Sequence, residues 1–126
     1  MRLFDNRLML VERSLDIRLE RHGRLAGNLA NIDTPKFTPK DIDFDTAIED
    51  ARRSIESNPS GAGRSDLRGS FEIEGPSGTP TPDGNRVDLD GTMAAISENS
   101  IKYNALSKVA QKRLAMLRYA ASDGTG

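Results

Sequence analysis

Cysteine and tryptophan are both missing from this 126-residue chain. Without thiols neither a disulfide framework nor a thiolate metal site is available, and a chain with no cysteine suits either side of a membrane. Aromatic residues are scarce at 5%, and hydrophobic residues reach 36%, which limits the core to that of one small domain. An excess of charge of either sign is lacking too. Eighteen basic residues stand against 19 acidic ones, a formal net charge of -1, so the total calls for neither nucleic acid nor an anionic membrane surface. No apolar run is long enough to span a bilayer. The opening Met1-Arg2-Leu3-Phe4-Asp5-Asn6-Arg7 is broken by charge and leads to no small-residue cleavage site, so a cleaved secretory signal is not expected.

The motifs of catalysis are equally thin. His22 is the single histidine, and one imidazole with no thiol or second imidazole does not make a zinc site; it reads as a packed or interface side chain. Asp41, Asp43 and Asp45 imitate the first ligands of a calcium loop, but the sixth and twelfth places hold Thr46 and Arg52 instead of Gly and Glu, so the three read as the solvated face of an extended segment. Gly61-Ala62-Gly63 lacks the third glycine and the strand-to-helix setting of a dinucleotide fingerprint. Ser14 and Ser54 have no histidine and acid arranged with them as a triad. Neither an enzyme activity nor a cofactor is expected.

What the chain does have is helical patterning at both ends. Residues 1–32 contain no proline, and a heptad numbering places Met1, Leu8, Leu15, His22 and Leu29 at one seam position and Phe4, Val11, Arg18, Leu25 and Ile32 at the other. Eight of these ten are apolar, the narrow stripe of a coiled-coil seam that needs a partner helix. From about Leu89 to Ala121 the design repeats with Met93, Ile96, Tyr103, Leu106, Ala110, Leu117 and Ala120 on one face. Asp88 or Asp90 is placed to cap its start, and Lys102, Lys108, Lys112, Arg113 and Arg118 complement the dipole toward its end.

Between the helices, Pro35 and Pro39 stop the first one and impose an extended turn. Ile42 and Phe44 alternate with aspartates as a short extended segment, and Phe44, Ile48, Ala51 and Ile55 predict a short helix from about Thr46 to Ser57. Residues 58–84 are rich in Gly, Pro, Ser and Thr, relieved by Phe71-Glu72-Ile73-Glu74, the composition of a segment that is mobile or ordered by a partner. Charge is unevenly spread: the two terminal helices are basic and residues 33–90 carry 13 of the 19 acids. The expected fold is mainly α, one assembly domain: N-terminal coiled-coil helix 1–32, extended turn and short helix 33–57, flexible irregular or β insert 58–87, and C-terminal coiled-coil helix 88–122. Basic residues mixed with acids, and few aromatics for stacking, argue against nucleic acid as a partner.

The segment Asn28-Leu29-Ala30-Asn31-Ile32-Asp33-Thr34-Pro35-Lys36-Phe37 resembles the N-terminal signature of the flagellar rod and hook axial proteins, where an Ala-Asn pair ends the first helix and Thr-Pro-Gly-Tyr follows. Lys36 and Phe37 stand in place of Gly-Tyr, and lysine adopts a positive φ poorly. Lys40-Asp41-Ile42-Asp43-Phe44, Gly84-Asn85-Arg86-Val87-Asp88-Leu89-Asp90, Met93, Glu98-Asn99 and Tyr103-Asn104-Ala105-Leu106 resemble a short proximal-rod member of that family, with FlgC as the nearest competitor. The resemblance covers about two thirds of the chain. It implies a structural subunit of the basal-body rod in the periplasm, exported through the flagellar type III apparatus without signal cleavage, joining the membrane ring to the distal rod and transmitting torque for motility. Implied partners are the rod proteins FlgC, FlgF and FlgG, the adaptor FliE and the MS ring, and further copies in a helical array, with no direct membrane insertion.

On this reading Leu8, Val11, Leu15, Leu25, Leu29, Ile32, Met93, Ile96, Tyr103, Leu106, Ala110 and Leu117 make subunit contacts, and Ala30, Asn31, Thr34 and Pro35 form the signature turn. The alternatives are a flagellar export chaperone or regulatory helical adaptor, and a small nucleic-acid binder.

Overall fold

The computed structural model describes residues 2–58 and 71–122, with the backbone alone for residues 2–4. The element order is α1 (Arg2–Ala30), β1 (Lys40–Ile42), α2 (Phe44–Ser57), β2 (Glu72–Glu74) and α3 (Leu89–Ala121). The fold is mainly α, and the two terminal helices pack on one another as expected.

Pairing is antiparallel, since Asn85 just before α3 bonds to Asn31 just after α1 and Asn99 bonds to Arg18 farther along. The face of α1 that turns inward differs in phase from the apolar heptad. Ser14, Ile17, Arg18, Leu25 and Asn28 are its buried residues, whereas Leu8, Leu15 and Leu29 are half-buried and His22 is exposed. Helix α1 lies not only against α3 but also against α2 and β1, so its apolar residues are shared among three neighbours instead of one. A heptad count assumes a single partner.

The core lies on the side of α1 that faces α2. Ile17, Ile42 and Ala47 are buried together, with Phe44, Ile48 and Phe71 packed around them. Helix α2 begins at Phe44, two residues before the expected Thr46, because Asp43 caps it: its carboxylate accepts from the Thr46 amide at 3.2 Å and from the Thr46 hydroxyl at 2.7 Å, satisfying donors that a first turn leaves free. Ala47, Ala51 and Ile55 follow at helical spacing and turn inward. Asp88 occupies the cap position of α3, without a side-chain hydrogen bond.

Strands β1 and β2 pair antiparallel, with Lys40 opposite Glu74, Asp41 opposite Ile73 and Ile42 opposite Glu72. Residues 71–87 of the insert are bonded back onto the signature turn: Gly75 N donates to Pro39 O, Arg86 N to Phe37 O and Lys36 N to Asp83 O, all at 3.0–3.1 Å. Two glycines permit this closeness. A Cβ on Gly75 would lie 2.9 Å from Lys40 O, and Gly84 has φ of +82°, a conformation open to glycine without steric cost. Residues 58–84 were expected to be mobile; residues 71–84 are instead held by these bonds, and residues 59–70, including Gly61-Ala62-Gly63, lie outside the described residues.

Candidate functional site

At the turn end of the helix pair, side-chain amides substitute for secondary structure. Asn28, 1% exposed, donates to Lys40 O and accepts from Lys40 N, both at 2.8 Å. Asn85, 2% exposed, donates to Asn31 O at 2.8 Å and Thr34 O at 2.7 Å and accepts from Val87 N at 2.9 Å. Asn31 in turn donates to Gly27 O at 2.8 Å and accepts from the Thr34 hydroxyl at 3.0 Å. Of the signature residues, Asn31 and Thr34 are thus tied to the start of α3, while Ala30 and Pro35 are exposed.

Lys36 sits at the tip of this turn with φ of +60°, the one non-glycine residue at positive φ among those described. It occupies the place where the resemblance puts glycine. The turn keeps the left-handed geometry although the residue best suited to it is absent, because the bonds on both sides over-determine the backbone.

Aspartate 41 corrects the expectation of three solvent-facing carboxylates. It is 6% exposed and takes a two-pronged contact from Arg21, Nε to Oδ1 at 2.8 Å and Nη2 to Oδ2 at 3.0 Å. That hydrogen bond raises the Arg21 pKa against the opposing effect of burial. The aspartate falls inward because β1 pairs on one edge only and α1 lies along the other. Asp43 is the α2 cap, and its pKa is lowered by the bonds from Thr46. Asp45 is exposed.

Midway along the helices, Asn99 is 1% exposed and Arg18 6%. The Asn99 amide donates to Arg18 O at 2.8 Å. The Arg18 guanidinium lies 3.6 Å from the centroid of the Phe44 ring, a cation–π arrangement, and burial is the first cause of its lowered pKa, with Arg21 next. Composition and periodicity do not reveal this polar layer. The one signal is the presence of Asn28 and Asn99 inside helices, where asparagine is a poor helix former.

Toward the free end the character changes. Leu8, Val11, Leu15, Tyr103, Leu106, Ala110 and Leu117 are half-buried there; nearer the turn, Leu29, Ile32 and Ile96 are half-buried, Leu25 is fully buried and Met93 is exposed. Helix α3 also carries exposed apolar residues: Ile101 is 71% exposed and Tyr119 59%, with Val109, Leu114 and Met116 exposed as well. The register set by Arg18 and Asn99 carries the last turn of α3 past the start of α1. A helix apolar on several sides is one that is buried on several sides. Among the described residues no helix is long and apolar enough to cross a membrane.

No protein-family model matches the chain. Among curated proteins it is similar to a protein of Aeromonas hydrophila named Flagellar basal body rod protein FlgB, 32% identical over 106 residues, covering 79% of this chain and 80% of the relative. A protein of the same name from Yersinia ruckeri is 31% identical over 114 residues, covering 79% and 81%. Another from Cereibacter sphaeroides is 29% identical over 119 residues, covering 90% and 92%.

Proposed function

This chain belongs to the FlgB family of flagellar basal body rod proteins, and from that premise we propose that it is a non-enzymatic structural subunit of the proximal rod, joining the membrane ring to the distal rod and transmitting torque. The observation that carries the reading is the apolar exposure along α3, where Ile101, Val109, Met116 and Tyr119 are all exposed. Neighbouring subunits are the natural cover, because large apolar side chains gathered on one helix mark an association surface.

The partners on this reading are FlgC, FlgF and FlgG, the adaptor FliE with the MS ring, and other copies of the chain in a helical, non-closing array. The site is the rod in the periplasm, reached through the type III export apparatus without signal cleavage. The apolar stripes of the terminal helices would be covered only on assembly, coupling folding to incorporation. Mass spectrometry of purified basal bodies, combined with in-situ cross-linking, tests the reading. Recovery of the chain cross-linked to the ring adaptor is expected; accumulation in the cytoplasm with none in basal bodies would sink it.

A further inference from the structure

The arginines of α1 differ in how their charge is met. Arg21 faces Asp41 at 2.8 Å, and Arg24 reaches Glu20 and Glu72, each at 3.2 Å. Arg18 is buried more deeply, yet it forms no ion pair among the described residues. Its contacts are one long hydrogen bond to Asn99 Oδ1 at 3.4 Å and the face of Phe44, and its Nε has no partner. Glu98 and Asp45 act on this charge only from beyond ion-pair distance; a buried guanidinium with no directly paired anion is unfavourable, and a ring with one amide oxygen offsets only part of that cost.

Among the described residues Arg18 lines two clefts. One also holds Asp41, Asp43, Asp45 and Glu98, and a further anion would be repelled there. Glu98 is itself engaged by Lys102 at 2.6 Å. The other cleft, about 320 Å³ between α1 and α3, contains no acid; its polar lining is His22, Asn99, Ser100, Tyr103 and Asn104. Hydroxyl, amide and imidazole donors around a buried guanidinium are the groups that recognise a carboxylate.

We propose that Arg18 and this second cleft form a socket for an acidic side chain of a second copy of the chain. The proposal rests on the rod reading above, which packs copies side by side. Charge complementarity selects the occupant: the socket lies between the two basic helices, and 13 of the chain's 19 acids lie in residues 33–90. Asp33 and Asp50 among them are exposed and form no ion pair among the described residues.

Two measurements on the full chain test this. Arg18→Met keeps much of the side chain's bulk and removes its charge. The purified variant is expected to melt at or above the parent temperature, because an unmatched charge has gone, while the chain is lost from basal bodies. A lower melting temperature makes Arg18 an internal structural residue and overturns the proposal, as does normal incorporation. Separately, a photo-crosslinking side chain at position 104 in assembled basal bodies is expected to capture a peptide from residues 33–90 of a second copy. Capture solely of other proteins, or of the basic helices, overturns the socket alone. Absence of the parent chain from basal bodies overturns the rod reading and the socket with it.

Discussion

The two ends of the α1–α3 pair solve the problem of burial in opposite ways. At the turn end, Asn28, Asn31 and Asn85 are buried or half-buried and bond to backbone groups within the same chain. At the free end, Leu8, Val11, Leu106 and Leu117 remain half-buried and Met116 and Tyr119 are exposed. Directional bonds fix one geometry and are complete within a monomer, whereas apolar area accepts whatever surface arrives. One end therefore holds its own shape, and the other leaves apolar surface open.

The largest expected effect breaks the free end. Leu106→Asp or Leu15→Asp places a carboxylate where a subunit contact would exclude water, at about 2–5 kcal/mol per interface. Motility and recovery of the chain in basal bodies should both be lost, while the purified monomer is less affected; a normally motile Leu106→Asp strain would contradict the assignment. Next in size is the turn end, where the reverse pattern is expected. Asn85→Ala strips donors from Asn31 O and Thr34 O and should destabilise the isolated chain by about 1–3 kcal/mol, read as a lower urea midpoint.

Lys36→Gly sharpens the comparison in the other direction. Relief of a left-handed backbone at a non-glycine residue should stabilise the monomer by about 1 kcal/mol, visible as a higher melting temperature. An unchanged or lower temperature would show that the lysine side chain contributes contacts that outweigh its strain.

The smallest effect is that of acid. The carboxylates of Asp43, Glu49, Asp83 and Glu98 are held below their ordinary pKa by Thr46, Arg52, Thr81 and Lys102 respectively. Groups with a depressed folded pKa contribute stability above the unfolded value and lose it as pH falls through the folded one. A modest drop in melting temperature is expected below about pH 4, largely screened because all four are solvent-accessible. A flat profile down to pH 3 would show that these contacts do not persist in solution.

The helices were legible because their spacing is long and periodic, and the turn because its prolines forbid helix and its residues resemble a known signature. The heptad phase of α1 was not, since Ile17, which is at the centre of the core, falls between the two seam positions of a pattern that assumes one partner. Asp41 was misread for a related reason. An alternating strand predicts one wet face, and only the three-dimensional placement of Arg21 beside β1 turns that face inward. Arg18 did fall on the expected seam, but as an exception among apolar residues; its unmatched charge depends on distances that sequence does not carry.

The side chains along the outer edge of β1 have one more effect. Lys40 has both its backbone groups taken by Asn28, and the Ile42 amide donates to Asp41 Oδ1 at 2.7 Å. A two-stranded sheet normally leaves such an edge open to strands from other molecules. Here carboxamide and carboxylate take up the amides of Lys40 and Ile42, so the outer edge of β1 has no free N–H at these positions to offer a strand of another molecule.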